Sequence, residues 1–241
     1  MTWSIVARDR RTGEFGVLCA SRALAVGAVV PYGAGRIGAL ATQALANPYY
    51  GVDGLRLLQE GCSAPEIVPH LIAADEGRAH RQLHLVDRER RTASHTGPAC
   101  LDWSGAVAAP DMSVAGNMLA GPAVVEATLA AYLAAADRDF DERLLLAMEA
   151  GERAGGDRRG RQSCALRIWS DAPFPRFDLR IDDHPEPLAE LRRLWRLAHE
   201  GYVPFQRLLP SRADPVGCLD RAAAYQACAD SAEDWKARHL E

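Results

Sequence analysis

The chain has 241 residues, a formal net charge of -4, and 48% hydrophobic and 25% charged residues. That length supports one large hydrophobic core with room for a small appendage. The mildly acidic balance argues against a nucleic-acid-binding face. The apolar stretch from Ala123 to Ala136 is broken by Glu126 and Thr128 and is too short to span a membrane. Arg8, Asp9, Arg10 and Arg11 interrupt the opening apolar run, so no secretion signal is expected. The 6 cysteines, none in a C-x-x-C pair, then read as reduced thiols of a cytoplasmic protein.

The chain opens on alternation, with Trp3, Ile5 and Ala7 on one face and Thr2, Ser4 and Val6 on the other. A turn at Arg10 to Gly13 leads to a second strand, Phe15 to Ser21, closing a hairpin. Ala25 to Val30 and Ile37 to Thr42 read as two further strands, parted by Pro31, Gly33 and Gly35. The period then becomes helical. Val52 to Gln59 forms a helix stopped by Gly61, and Ser63 with Glu66 makes a capping box, with Pro65 in the first turn of a second helix. Gln82 to Val86 and Thr92 to Thr96 predict a second hairpin, and Val107 to Ala115 contains a strand with Pro110 and Asp111 at its edge. Two more helices follow. One opens at Pro122 and runs to about Ala136; the other is capped by Asp141 and carries Leu144, Leu145 and Met148. Gln162 to Trp169 and Arg176 to Asp182 are a late strand pair, before a helix that opens at Pro187. Asp220 to Ala229 and Asp234 to Leu240 predict short helices, and Leu240-Glu241 reads as a cloning remnant. Prolines at 185 and 187 mark the best boundary, between a main domain over 1–185 and a helical extension over 186–241 packed on or beside it.

Runs of strands alternating with pairs of helices argue against a doubly wound parallel sheet. Adjacent hairpins imply antiparallel sheets. The arrangement that buries both the sheets and the helix pairs is an α+β, four-layer αββα sandwich.

Several residue groups offer chemistry. Met1 precedes a small residue and is expected to be trimmed, placing the Thr2 hydroxyl beside its own α-amine. That amine has an ordinary pKa of about 7.7–8.0, so it can take the hydroxyl proton near neutral pH. Thr2 also suits a plain strand start, because β-branched residues favour strands. Asn117 after Gly116 could donate to a developing oxyanion, or simply form a turn. Arg22, following Ser21 at the end of the second strand, is a cation able to depress the amine pKa. Residues 155–163 hold three glycines and three arginines, a composition suited to a carboxylate or to a solvated linker. Asp178, Arg180 and Asp182 share a strand face where charge pairing suffices; Asp182, Asp183 and His184 leave a weaker metal-hydrolase reading. His80 and His84 are four apart but flank a strand start, so a zinc helix pair is not expected. No G-x-S-x-G elbow, H-E-x-x-H or dinucleotide fingerprint occurs, and neither a cofactor nor a metal is expected.

Read together, Thr2 to Asp9, Ala20-Ser21-Arg22, Ala41-Thr42-Gln43 with Asn47-Pro48, and Gly116-Asn117 resemble the bacterial and archaeal family designated domain of unknown function 1028. So do Gly155 to Gly160 with Gln162-Ser163, and Asp178-Leu179-Arg180 with Asp182-Asp183-His184. The resemblance runs from Thr2 to about Leu194. It implies the αββα fold of N-terminal nucleophile hydrolases, with Thr2 as nucleophile and first residue of the mature chain. It also implies a helper at Ser21 and Arg22, and an oxyanion donor, here Asn117. Gln43, Asn47, Asp157, Arg159 and Gln162, all in the shared segments, are the expected substrate-binding residues. The implied activity is hydrolysis of a small, non-peptide amide C–N bond, in a small-molecule substrate to which the arginines would suit a carboxylate. The competing reading is a non-catalytic anion-binding or assembly protein on the same fold. Stacked-sheet sandwiches associate through their outer helices, which leaves a homo-oligomer open.

Overall fold

The computed structural model describes residues 2–239. The expected trimming of Met1 and the Leu240-Glu241 remnant lie outside the described residues. The chain divides into two compact units, Met1–Leu191 and Arg192–Glu241.

The first unit is the expected four-layer sandwich. One sheet has six strands in the order β10-β9-β2-β1-β8-β7 and the other has four in the order β3-β4-β5-β6. The strands are β1 (Thr2–Arg8), β2 (Phe15–Ser21), β3 (Pro31–Ala34), β4 (Gly38–Ala44), β5 (Arg81–Asp87), β6 (Thr92–Thr96), β7 (Gly105–Ala109), β8 (Met112–Asn117), β9 (Ser163–Trp169) and β10 (Pro175–Ile181). All the strand pairs are antiparallel. Helices α1 (Pro48–Gln59) and α2 (Ala64–Ala73) cover the four-stranded sheet, and α3 (Ala123–Ala134) and α4 (Phe140–Arg153) cover the six-stranded one.

Period-2 alternation divides each strand between two cores. Leu40, Leu83 and Leu85 point toward Leu57, Leu58, Ile67 and Leu71 of α1 and α2. Val6, Phe15, Val17, Cys19, Ala39, Ala41 and Val86 fill the space between the sheets. Burial pushes the Cys19 thiol up to about 12, which leaves it unreactive.

Four expectations need correction. Ala25 to Val30 is not a strand: Val26–Ala28 is a 3-10 turn, with Ala25 in the left-handed region at φ 53. Ser163 Oγ accepts from Val26 N at 3.1 Å, and Asp182 O accepts from Ala25 N at 2.9 Å. These bonds hold the segment bent, while Val26 and Val30 still reach the inter-sheet core. The third strand is instead Pro31–Ala34, where a separator was expected.

The span from Val107 to Ala115 is a hairpin rather than one strand, with Ala109 opposite Met112 across Pro110-Asp111. Asp111 takes φ 75, and its buried carboxylate is ringed by Arg8, Arg10 and Arg90. The cap of α4 is Asp139, not Asp141. Asp141 lies buried in the first turn, 3.3 Å from Arg176. Finally, the two short helices expected near the C-terminus are one helix, Arg221–His239.

The turn after β3 meets the β9–β10 turn closely. A Cβ on Gly35 would fall 1.5 Å from the Ser170 carbonyl oxygen, so backbone would have to move. Gly35→Ala is expected to cost about 1–3 kcal/mol, read as a lower urea midpoint at an unchanged m-value.

The second unit is helical: the end of α5 (Pro187–Leu197), a π turn (Ala198–Tyr202), α6 (Val203–Gln206) and α7 (Arg221–His239). Trp235 stacks between His199 and His239, with ring centroids 4.7 and 4.8 Å apart. Among the described residues, no helix is long and apolar enough to cross a membrane.

Candidate active site

Strand register brings the expected residues together. Thr2 lies opposite Ser21 on β2 and Asn117 on β8, and Ser21 lies opposite Ser163 on β9. Residues directly opposed across strands share a face. Asn117, Thr2, Ser21 and Ser163 therefore make one polar row, turned toward the other sheet. Gln43 on β4, Gln82 on β5 and Thr96 on β6 form a matching row there. The Thr2 hydroxyl donates to Ser21 Oγ at 3.2 Å, and Thr2 is only 6% exposed.

Gln82 connects these rows, and nothing in the sequence reading singled it out. Its Oε1 accepts from Gln43 Nε2 at 2.8 Å and from Asn117 Nδ2 at 3.0 Å. Its own amide N–H groups reach Gly116 O at 2.8 Å, Thr96 Oγ1 at 2.9 Å and Gly105 O at 3.2 Å. Gln43 and Asn117 also direct their amide nitrogens at the Thr2 carbonyl, each at 3.4 Å. One buried glutamine thus sets the orientation of two amides that touch Thr2. The available signal was positional: Gln82 and His84 are polar residues at alternate, core-facing positions of a central strand. Gln82→Met is expected to destabilise the chain by about 2 kcal/mol, because it leaves buried donors and carbonyls unpaired; urea denaturation measures it.

One layer deeper, Ser4 Oγ sits 2.8 Å from His84 Nε2 and 2.7 Å from Gln43 Oε1. Histidine beside serine invites a nucleophile–base reading, and the hydrogen bonds argue against it. Gln43 Nε2 faces three acceptors, Thr2 O, Ala115 O and Gln82 Oε1, so its Oε1 must be the atom facing Ser4. Ser4 then donates to Gln43, and His84 must donate its Nε2–H to Ser4. A nitrogen that carries the proton cannot remove one. Burial also pushes the His84 pKa down to about 3, more than the nearby Ser113 backbone raises it. Both residues are fully buried. His84 lies within β5, where it holds Ser4, which in turn bonds Gln43.

The glycine-arginine loop knits the strand ends beside this row. Asp157, itself buried, accepts from the backbone N–H groups of Arg22 and Arg159, both at 2.8 Å, and pairs with the Arg159 guanidinium at 3.3 Å. Gln162 N donates to Ser21 O at 3.1 Å, and the Gln162 side chain joins Arg22 Nη1 at 3.3 Å to Asp183 at 3.1 Å. Arg161 pairs with Glu152 at 3.2 Å and with Glu186. Arg22, Asp157, Arg159 and Gln162 are therefore neighbours of Ser21, with much of their charge matched within the loop.

Asn47 is placed differently. Its side chain caps α1 through Tyr49 N at 3.1 Å and donates to Asp75 at 3.2 Å. Partial burial would raise the Asp75 pKa, but bonds from Tyr50, Arg81, Gly77 N and Asn47 outweigh it and lower the carboxyl to about 2. Asp182 pairs with Arg180 at 2.9 Å, and His184 Nδ1 accepts from Glu186 N at 3.0 Å. Among the described residues, no three His, Cys, Asp or Glu side chains are grouped to hold a metal ion.

No curated protein matches the chain. The crystal structure of protein SPO2555 from Silicibacter pomeroyi superposes with a TM-score of 0.84 at 34% identity, covering 91% of this chain and 96% of that one. Anbu (ancestral beta-subunit) from Yersinia bercovieri gives a TM-score of 0.39 at 14% identity, over 87% of this chain and 98% of that one. The model of the family of unknown function DUF1028 matches residues 2–191, the same family named for the Silicibacter pomeroyi protein. With four-fifths of its length inside that match, and a relative above 30% identity along nearly all of it, this chain belongs to the DUF1028 family.

Proposed function

We propose that the chain hydrolyses an amide-type C–N bond of a small molecule, with Thr2 as nucleophile once Met1 has been removed. The observation that carries this reading is the polar row: Thr2 lies at the start of a central strand with its hydroxyl 3.2 Å from Ser21 Oγ and Asn117 directly opposite. Thr2 Oγ adds to the substrate carbonyl and its proton passes to the α-amine. The C–N bond then breaks, the departing nitrogen takes that proton, and an ester to Thr2 remains. Water, deprotonated by the same amine, cleaves the ester and releases the acid.

Asn117 Nδ2 is the group nearest to an oxyanion role. Its bond to Gln82 is the shorter at 3.0 Å and fixes the amide, whereas the 3.4 Å contact to Thr2 O is long enough to be exchanged for a developing oxyanion. Arg22, exposed beside the row, spends one N–H on Gln162 and has others for a substrate carboxylate. The resemblance to N-terminal nucleophile hydrolases supports the same roles by analogy of fold.

The near-burial of Thr2 favours the competing reading, an anion-binding or assembly protein on the same sandwich. Intact mass with N-terminal sequencing of purified protein separates the two. A chain lacking Met1 and starting at Thr2 has the free amine the mechanism needs. A chain that keeps Met1 after treatment with methionine aminopeptidase has no general base at Thr2, and the binding reading takes over.

A further inference from the structure

The sandwich has a second polar end, unrelated to Thr2. Strand β1 carries Thr2 at one end and Arg8 at the other, six residues or roughly 20 Å away at the usual strand rise. There a cavity of about 310 Å³ opens between the β1–β2, β3–β4, β5–β6 and β9–β10 turns. Its apolar wall is Phe15, and its charged groups are the guanidiniums of Arg8, Arg36 and Arg88 and the carboxylate of Asp171.

These charges do not cancel. Arg36 is matched by Asp171, with Nε 2.6 Å from Oδ1. Arg8 and Arg88 are not matched in the same way. The carboxylate nearest to Arg8 is Asp111 at 3.8 Å, and Asp111 is already engaged by Arg10 and by Arg90 at 2.8 Å. Among the described residues, the carboxylate nearest to Arg88 is that of Glu89, at 3.7 Å. Both separations are too long for a hydrogen bond. The Arg8 side chain is 23% exposed, so its five-donor fork is open to the cavity. A guanidinium does not lose its proton to relieve an unmatched charge.

We propose that this cavity binds a small dianion, specifically a phosphate or phosphate monoester group, between Arg8 and Arg88. Two forks that reach one space, one from the end of β1 and one from the β5–β6 turn, suit a tetrahedral oxyanion, which offers oxygens in more than one plane; a single carboxylate serves one fork in one plane. The Arg36–Asp171 pair forms the rim.

Titration calorimetry of the full chain with inorganic phosphate at low ionic strength tests the site, with succinate as the dicarboxylate comparison. Phosphate is expected to bind, to weaken as sodium chloride is added, and to bind at least roughly tenfold more tightly than succinate. Arg88→Gln should weaken phosphate roughly tenfold, and Arg8→Gln with Arg88→Gln should abolish binding. Arg88 sits on an exposed turn, so its single variant stays folded even if Arg8→Gln does not. Thr2→Ala should bind phosphate like the wild type, which separates this site from the hydrolase reading. No phosphate binding, equal affinity in Arg88→Gln and wild type, or tighter binding of succinate would each overturn the proposal.

Discussion

Thr2→Ala is expected to lose covalent acylation at the N-terminus and at least about a thousandfold of any amide hydrolysis, because no other hydroxyl in the row has an α-amine on its own residue. The readout needs no known substrate. An acylating probe, followed by intact mass and peptide mapping, should add one group to Thr2 of the wild-type chain and none to the variant. Thr2→Ser should keep the label, since it keeps both hydroxyl and amine. Labelling should rise as pH passes through about 7.7–8.0, where an ordinary α-amine loses its proton. The fold should survive the alanine change, because the 3.2 Å bond to Ser21 is one neutral hydrogen bond, worth about 1 kcal/mol. Label persisting undiminished in Thr2→Ala would remove Thr2 from the mechanism.

The stability of the chain should fall steeply with acid, and His84 should account for much of the fall. Its folded pKa of about 3 lies below the ordinary histidine value because the ring is fully buried. Above about 6.5 neither folded nor unfolded chain protonates this ring, so full stability is present. Between 6.5 and 3 the unfolded chain takes up a proton that the folded one refuses. Stability is then lost at roughly 1.4 kcal/mol per pH unit, or about 3 kcal/mol from pH 6.5 to 4. Below 3 the folded chain binds the proton too and the loss levels off. Urea denaturation across this range, wild type against His84→Gln, measures the effect. The variant should show a shallower slope through this window. Equal slopes would mean that His84 titrates normally and that the Ser4–His84–Gln43 bonds do not hold the ring neutral. Asp75 acts in a lower window: its stabilisation is present above an ordinary carboxyl pKa and is lost as pH falls toward about 2.

Much of the fold was legible because local rules and tertiary structure agree. Ser63 caps α2 and Glu66 completes its capping box, as the spacing of the two residues predicts. The Phe15–Ser21 strand has the expected limits because its alternation serves two cores at once. The misreadings come where one pattern permits two structures. Val26 and Val30 would be buried in a strand or in a 3-10 turn, and only bonds from Ser163 and Asp182, more than 130 residues away, select the turn. Pro110-Asp111 looks like a strand edge until three arginines converge on the carboxylate and hold it as a hairpin turn.

By itself, the sequence determined the α+β class, the helix pairs, the family motifs, and the candidacy of Thr2, Ser21, Arg22 and Asn117. Each of these depends on residue type and short-range spacing, which a linear chain displays. Tertiary structure alone decided that Gln82 orients Gln43 and Asn117, that His84 is a neutral donor to Ser4 rather than a base, that Asn47 caps a helix, and that Arg8 and Arg88 share a cavity. These roles depend on strand register and on which sheets face each other. Register is set by summed burial over both faces of every strand, a sum over long-range pairs that no local window contains.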